Sequence, residues 1–385
     1  MFSFIFMPVV IVMAVVISEK TPVPGANQTD MYRSLIDGKT IAVVSNQTSL
    51  DGEIHIVDKL LGMGMKIETI FAPEHGFRDL ADAGETIRDG KDPLTGIRII
   101  SLYGKHVKPT PEDLAGIEVM IFDIQDVGTR FYTYISTLHY IMEACAENNI
   151  TCIVLDRPNP NGFYFDGNIL DTAFRSFVGL HPVPVVHGMT IGEYAQMING
   201  EGWLKGGTRC DLEVIKCKYY KHKTYYELPV RPSPNLPNQT SVYLYPTLCF
   251  FEGTNISVGR GTPWPFQVFG SPVLPDKGFS FIPESVPGAK NPPFLGMRCF
   301  GTDLRNAIKD KLVPKPGIDL QLIISAYNEH PDKDKFFTPY FDVLAGGPVL
   351  REQIIKGLSA EQIRQSWKEG LTEFGKIRMK YLLYK

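Results

Sequence analysis

The sequence has no excess of either charge. Its 39 lysine and arginine residues are balanced by 42 aspartate and glutamate residues, which gives a formal net charge of −3. No block of like charges suggests an interaction tail. Because a nucleic-acid-binding face needs a surplus of lysine and arginine, this balance argues against DNA or RNA as a partner.

Cysteine is sparse, with six residues in a chain of 385. Four of them lie in apolar runs, where a cysteine is usually a small buried side chain: Cys145, Cys152, Cys249 and Cys299. The other two, Cys210 and Cys217, flank the short run DLEVIK. No pair has C-x-x-C spacing, so the sequence supports neither a disulfide scaffold nor a zinc or thioredoxin-type site.

The common catalytic and nucleotide-binding motifs are missing as well. No G-x-G-x-x-G follows the first predicted strand, and there is no G-x-x-x-x-G-K-[ST]. The sequence also lacks the G-x-S-x-G of serine hydrolases and the H-E-x-x-H of zinc proteases. Nucleotide cofactors therefore lose their main sequence support, and serine-hydrolase or zinc-protease chemistry has little.

A long apolar stretch occurs at the N-terminus. Residues 1–17 are almost entirely apolar, and the first charged residue is Glu19. A lysine- or arginine-rich start and an A-x-A cleavage site are both missing, so two interpretations stay open. We predict that residues 1–18 are an export signal or an N-terminal membrane anchor, and that the protein is exported to the periplasm or cell envelope. No other integral membrane role is predicted.

The chain is long enough for two domains, since about 150 residues per domain is typical. Short apolar runs, interrupted by helix-like patterns, recur from residue 40: TIAVVS, MKIETIFA, IRIISLY, VMIFDI, TCIVLD and DLEVIK. The clearest helical pattern covers residues 131–148. Continuous apolarity is typical of parallel strands that are buried on both faces. We predict an α/β, Rossmann-like doubly wound domain over residues 30–240, followed by a smaller α+β domain over residues 241–385.

Polar side chains follow five of the predicted strands at the point where each strand ends. In an open parallel sheet, ligands bind at the carboxyl ends of the strands. The candidate residues are, in chain order, Asn46, Glu74, His75, Tyr103, Asp123, Gln125, Asp126, Arg130, Asp156 and Asn159. Carboxylates mixed with aromatic residues such as Tyr132 are typical of sites for carbohydrate chemistry. Cleaving a glycosidic bond needs one protonated carboxyl and a second group opposite it.

Glu74 suits the acid role. Apolar neighbours such as Phe71 and Phe77 would favour its protonated form. The alternative is that Glu74 and His75 are ordinary solvated turn residues. At the next strand end, Asp126 or Thr129 could instead cap the helix over residues 131–148.

The local sequence indicates possible roles for two further residues, Arg130 and His187. Arg130, at the predicted start of the same helix, could bind an anion or pair with Asp126. His187 precedes a second predicted helix, which a capping box of Thr190 and Glu193 would open, and it could face the cleft.

Several blocks of the sequence together resemble the exo-β-N-acetylmuramidase family of the NamZ type: APEHGFR, SLYG, FDIQDVGTRFYTY, VLDRPNPNG, HGMTIGEYA, SPNLPN and CFFEGTNISVGRGTPWPF. The resemblance implies a cleft between two domains, removal of non-reducing terminal N-acetylmuramic acid from peptidoglycan fragments, and Glu74 as the catalytic acid. It implies no nucleotide or metal. Four further residues of these blocks become candidates for substrate binding: Asn235, Glu252, Asn255 and Arg260.

N-acetylmuramic acid carries a lactyl carboxylate, so the site should hold a cation. We expect Arg130 or Arg260 to bind it. Where the family is expected to have glutamate in its S-E-G-R-G-T block, this chain has Val258. The second catalytic role therefore falls to Asp123, Asp126 or Glu252. The departure also keeps open a non-catalytic protein that binds wall fragments, and an esterase or amidase that acts on them.

Overall fold

A computed structural model of the chain describes residues 20–78, 89–308 and 313–384. The predicted export signal or anchor, residues 1–18, lies outside the described residues. None of the helices in these ranges combines the length and the apolar character needed to cross a membrane.

The six apolar runs that we predicted to be strands are all confirmed. In the described residues the strands are β1 (Thr40–Ser45), β2 (Leu50–Asp51), β3 (Ile54–His55), β4 (Lys66–Ala72), β5 (Gly90–Lys91), β6 (Arg98–Ser101), β7 (Val119–Asp123), β8 (Thr151–Leu155), β9 (Leu212–Ile215), β10 (Val268–Ser271), β11 (Ser280–Phe281) and β12 (Cys299–Asp303).

Seven of these strands form one sheet in the order β5-β6-β4-β1-β7-β8-β9. Its pairings are parallel except for the edge pair of β5 and β6. The chain builds outward from β1 through β4 to β6, and then crosses to the other side of β1 to form β7, β8 and β9. This reversal confirms the predicted doubly wound fold and leaves a crevice at the carboxyl ends of the strands beside β1.

The central strands supply two hydrophobic cores because alternate side chains point to opposite faces of the sheet. Val44 and Phe122 belong to the larger core on one face. Their neighbours Val43 and Ile121 belong to the smaller core on the other face. All four side chains are completely buried. Both faces are thus covered, which explains why these strands read as continuous apolar runs.

The helices of the described residues include the one that was predicted to open with a capping box of Thr190 and Glu193. They are α1 (Thr29–Ile36), α2 (Ile56–Gly62), α3 (Tyr134–Asn148), α4 (Ile191–Gly200), α5 (Gln239–Leu248), α6 (Leu320–Glu329), α7 (Pro339–Ala345), α8 (Val349–Ile355) and α9 (Ala360–Met379). Thr190 and Glu193 form the box of α4, and Ser359 and Gln362 form that of α9. Each box satisfies backbone N–H groups that the first turn of a helix leaves unpaired.

Helix α3 begins three residues later than predicted, and the predicted caps Asp126 and Thr129 are wrong. Its N-cap residue is Thr133. The backbone of Thr129 bridges to Val186, and the Arg130 N–H donates to the Val185 carbonyl at 2.7 Å. This pairing with a distant segment holds residues 129–130 out of the helix, although their sequence favours it.

The C-terminal part combines a small antiparallel sheet, in the order β10-β12-β11, with helices α5 to α9. Phe251, just after α5, stacks on Phe269 of β10 with ring centroids 4.6 Å apart. The end of the chain returns to the first domain, where the Tyr384 hydroxyl donates to Asp156 at 2.5 Å. The two parts are therefore joined by contacts far from their connection.

Arg130 is a second link between the two parts, and its side chain is completely buried. Its Nη1 donates to the carbonyls of Asn168 and Val183, both at 2.8 Å. Its Nη2 donates to the carbonyls of Leu344 at 3.1 Å and Ala345 at 2.9 Å, at the end of α7. Burial lowers the pKa of Arg130 to about 9, so the group is still charged at neutral pH. One guanidinium therefore ties α7 to the first domain.

Replacing Arg130 with lysine should destabilise the protein although the charge is retained. A single ammonium cannot reach both carbonyl pairs, and a lost hydrogen bond to a buried charged group costs about 1.5–3 kcal/mol. We expect the free energy of unfolding of Arg130→Lys, measured by urea titration, to fall by roughly 3 kcal/mol.

The exposed Arg298 provides the matched control, since Arg298→Lys makes the same chemical change at the surface. Its effect should stay within about 0.5 kcal/mol. Equal stability of Arg130→Lys and Arg298→Lys would show that the four carbonyl contacts do not hold the two parts together.

Candidate active site

A cavity of about 450 Å³ lies at the carboxyl ends of β4 and β6, between the two parts of the chain. Its polar lining comes from both parts: Glu74 and His75 after β4, Tyr103 after β6, Thr133 before α3, and Glu252, Arg260 and Tyr340 from the C-terminal part. The crevice that the sheet topology leaves open is thus closed by the second domain.

Glu74 is half-buried in this cavity. The Thr133 hydroxyl donates to its Oε2 at 2.8 Å. The Tyr103 hydroxyl is the second neighbour: burial, the charge of Glu74 and a hydrogen bond to it together raise the pKa of Tyr103 to about 12. Glu74 is therefore a carboxyl group held in place by neutral hydroxyls at the edge of an aromatic cavity, an arrangement that suits proton transfer.

His75 adopts a backbone conformation that is rare for residues other than glycine. Its φ is +70°, and Gly76 follows with φ +90°. A left-handed conformation costs a residue with a side chain roughly 1–2 kcal/mol. The tight turn that results ends β4 and leaves both Glu74 and the buried His75 ring on the cavity. Backbone strain of this kind is typical of functional sites.

Glu252 and Arg260 form an ion pair on the side of the cavity that the C-terminal part supplies. Arg260 Nε donates to Glu252 Oε1 at 2.6 Å. The guanidinium also lies over the Phe266 ring, 5.1 Å from its centroid. Among the cavity-lining residues in the described ranges, Arg260 carries the one permanent positive charge, and Glu74 and Glu252 are the two carboxylates.

Aromatic rings make up much of the remaining wall. Tyr132 packs edge-on against Tyr134, with centroids 4.8 Å apart, and Tyr245 packs against Phe266 at 4.9 Å. The polar ends of these tyrosines are satisfied: Tyr132 donates to the Pro232 carbonyl at 2.8 Å, and the Asn46 amide donates to Tyr134 at 2.8 Å. The rings are therefore fixed by packing and by hydrogen bonds.

The structure does not bring Asp123 or Asp156 to the cavity, because each is completely buried and bound elsewhere. Arg157 donates two hydrogen bonds to the Asp123 carboxylate, at 2.6 and 2.9 Å. Asp156 accepts from the Thr190 hydroxyl and the Gly192 N–H, both at 2.8 Å. Both carboxylates hold loops and helix starts in position, which is what a buried charge requires.

Asp126 and His187 also lie behind the cavity, as a buried pair. Asp126 accepts from the Gly128 N–H at 2.6 Å, and His187 Nε2 lies 3.8 Å from Asp126 Oδ2. Burial raises the pKa of Asp126 to about 7 and lowers the pKa of His187 to about 3. Both groups are therefore neutral at mildly acidic pH.

The remaining predicted residues make structural hydrogen bonds. Arg130 is bound by the four carbonyls described above, so it is not available for an anion in the cavity. The predicted amides donate mainly to backbone carbonyls: Gln125 to Pro158, Asn159 to Met189, and Asn235 to Gly288, each at 2.8 Å. Asn255 lies beside His330, 3.5 Å from its Nε2. Of the predicted site residues, those that line the cavity are Glu74, His75, Tyr103, Tyr132, Glu252 and Arg260.

Several cavity residues were not predicted from the sequence, and Thr133 and Tyr340 are two of them. Thr133 lies in the block FDIQDVGTRFYTY, but it contacts a residue 59 positions earlier, which the local sequence does not show. Tyr340 lies in the C-terminal part, outside the blocks that resemble the family. In the described ranges, no three histidine, cysteine, aspartate or glutamate side chains lie close enough together to hold a metal ion.

Comparison with known proteins agrees with this geometry. Residues 41–240 match the N-terminal domain model, and residues 243–384 the C-terminal domain model, of "Exo-beta-N-acetylmuramidase NamZ". The chain belongs to the NamZ exo-β-N-acetylmuramidase family. The match confirms the resemblance in the motifs, and with it the assignment of the chain to the glycosidases.

Individual relatives extend the match over most of the chain. The peptidoglycan β-N-acetylmuramidase NamZ of Bacillus subtilis (strain 168) is 41% identical over 375 residues, which cover 92% of this chain and 89% of that protein. Two crystal structures of DUF1343 family proteins from Bacteroides fragilis are also similar. One has a TM-score of 0.88 and 46% identity, and covers 95% of this chain and 99% of its own. The other has a TM-score of 0.79 and 29% identity, with 94% and 99% covered.

The raised pKa of Asp126 should make stability depend on pH. An unfolded aspartate has a pKa of about 3.9, so between pH 4 and 7 the folded protein keeps a proton that the unfolded chain has lost. Stability from this group therefore falls as the pH rises through that window. Asparagine mimics the neutral carboxyl and removes the dependence. We expect the free energy of unfolding of Asp126→Asn, minus that of the wild type, to increase by about 2–4 kcal/mol from pH 5 to pH 8, measured by urea unfolding.

Asp334→Asn is the control, because Asp334 is exposed. Its difference from the wild type should be the same at pH 5 and pH 8. A difference between Asp126→Asn and the wild type that does not change with pH would mean that Asp126 does not hold a proton in the folded state.

Proposed function

We propose that the protein is an exo-acting glycosidase that releases non-reducing terminal N-acetylmuramic acid from peptidoglycan fragments, with Glu74 as the general acid. The observation that carries the proposal is the half-buried Glu74 carboxyl, bound by the Thr133 hydroxyl at 2.8 Å in a cavity lined by aromatic rings. The name of the Bacillus subtilis relative supports the substrate.

Glu252 is our candidate for the second catalytic group. Of the three carboxylates considered from the sequence, Asp123 is bound by Arg157 and Asp126 is buried beside His187. Glu252 lines the same cavity as Glu74, and its charge is matched by Arg260. A carboxylate paired with a cation suits the role opposite the acid, where positive charge develops on the sugar ring.

Arg260 is our candidate for binding the lactyl carboxylate. It is the permanent cation of the described cavity lining, and its Nη atoms extend beyond the Nε that binds Glu252. A guanidinium can bind two carboxylates at once because its donors form a planar fork. A neutral analogue of the lactyl group would lose this interaction.

We further propose that the protein works outside the cytoplasm, in the periplasm or the cell envelope. The uncharged apolar stretch that precedes Glu19 supports export. Peptidoglycan fragments are present there.

The decisive test of the proposed function compares two substrates with different leaving groups. A general acid matters most when the leaving oxygen needs a proton, so Glu74→Gln should lose at least about 100-fold in kcat on the natural disaccharide of N-acetylmuramic acid and N-acetylglucosamine. The loss should be clearly smaller on the 4-nitrophenyl glycoside, because nitrophenolate leaves without a proton. Release of sugar and of nitrophenol provides the two measurements.

The exposed Glu53→Gln serves as the matched control and should retain full activity. Equal losses on both substrates would remove the acid role from Glu74. Tight binding without release by the wild type would identify a binding protein. Cleavage only of acylated or peptide-linked fragments would identify an esterase or amidase.

Substrate charge tests the role of Arg260. Wild type should prefer the free lactyl acid of a 4-nitrophenyl muramic glycoside over its lactyl methyl ester, which has nearly the same shape but no charge. Arg260→Gln should reduce this preference, measured as the ratio of the two kcat/KM values, by about 10-fold or more. An unchanged ratio would show that Arg260 does not bind the lactyl group, whatever the effect on overall activity.

A further inference from the structure

Tyr340 is an exposed aromatic residue fixed at the edge of the cavity. It lies in the first turn of α7, and its side chain lines the cavity although the residue is 43% exposed. The next residue, Phe341, is completely buried and packs on Phe250 with ring centroids 5.8 Å apart. The buried ring anchors the helix, so the exposed ring of Tyr340 is held at the boundary between cavity and solvent.

Phe177 is a second aromatic residue of the cavity, supplied by the first domain. It lies in a tight turn in which Ser176 and Gly179 exchange two backbone hydrogen bonds of 3.0 Å. Its ring stacks nearly parallel on Tyr140, with centroids 6.3 Å apart, and meets the edge of Tyr103 at 6.2 Å. Phe177 is thus also fixed and only partly covered.

Both rings are close to the proposed acid. Tyr103, which packs against Phe177, is also the hydroxyl neighbour of Glu74. Burial raises the pKa of the Tyr340 hydroxyl, and the neighbouring Cys249, Glu252 and Glu74 add to this effect. Glu74 and both rings thus line one cavity, and a group that receives a proton from Glu74 is released into it.

The size of the cavity limits how much of a disaccharide it can enclose. Its volume of about 450 Å³ is near the lower end of the range for ligand pockets, which runs from about 300 to 1,000 Å³. One N-acetylated sugar with its lactyl group suits such a space. The sugar on the other side of the cleaved bond then lies at the mouth, where the aromatic rings are exposed.

We propose that Tyr340 and Phe177 form the subsite for the leaving sugar, and that they bind the apolar C–H face of a β-linked N-acetylhexosamine ring. This inference rests on the proposed function. In a β-linked pyranose with equatorial substituents the faces carry axial C–H groups, and packing such a face on an aromatic ring removes apolar surface from water on both partners. The hydroxyl of Tyr340 is not needed for this contact, whereas its ring is.

The experiment compares the disaccharide with the methyl β-glycoside of N-acetylmuramic acid, whose leaving group is also an alcohol but has no ring. Tyr340→Ala should lower kcat/KM on the disaccharide about 10-fold, a loss at least fivefold greater than on the methyl glycoside. Phe177→Ala should act in the same direction. Tyr340→Phe keeps the ring and should restore most of the difference between the two substrates that Tyr340→Ala loses. Tyr219→Ala, at an exposed tyrosine outside the cavity lining, is the matched control.

Affinity provides a readout that does not depend on turnover. In the Glu74→Gln background, calorimetry should show that Tyr340→Ala raises the Kd of the disaccharide about 10-fold. The fold-increase in the Kd of the methyl glycoside should be at least five times smaller. Equal losses for both ligands, or no loss for either, would overturn the subsite. If the wild type cleaves neither substrate but the disaccharide still binds through Tyr340, the proposed function fails and the subsite stands. Absence of disaccharide binding would overturn both.

Discussion

The buried guanidinium of Arg130 is the contact on which the shape of the cavity depends. It is completely buried and donates hydrogen bonds to backbone carbonyls from both parts of the chain. A buried charge must be satisfied by hydrogen bonds, so the carbonyls of Leu344 and Ala345 have to stay where the guanidinium needs them. Gly346, with φ +73°, ends α7 at this point, and a Cβ there would come within 2.8 Å of Arg130 Nη2. The position of Tyr340 on the cavity follows from this anchoring of α7.

The polar residues at the carboxyl edge of the sheet divide into two groups. Asp123, Asp156 and the buried amides bind backbone and side-chain groups of neighbouring loops, and so they shape the edge without facing the cavity. Glu74 differs from them: it stands at the strained turn that ends β4, lines the cavity and is only half-buried. A carboxylate that is only half-buried can meet a substrate, whereas a fully buried one is needed by its partners. The same edge thus supplies both the scaffold and the chemistry.

Six of the predicted site residues line the cavity, and the other predictions failed for a physical reason. Polar residues at strand ends locate an edge of the sheet, but they do not show which side chains turn inward. Glu74, Tyr103 and Arg260 were found through strand ends and motifs. Thr133 was missed because its partner lies 59 residues away. Arg130 was expected to bind an anion because it stands near a helix start, and only the folded chain shows that carbonyls already occupy it.

Hydrophobic patterning alone determined six of the seven strands of the large sheet, because a strand buried on both faces must be apolar along its whole length. Capping residues likewise determined the starts of α4 and α9, because both partners of a capping box lie within one turn. The start of α3 was decided by pairing with Val185 and Val186, which lie more than 50 residues away. The cavity, its ion pair and its aromatic mouth were decided only when the second domain packed across the sheet edge, since each wall comes from a different part of the chain.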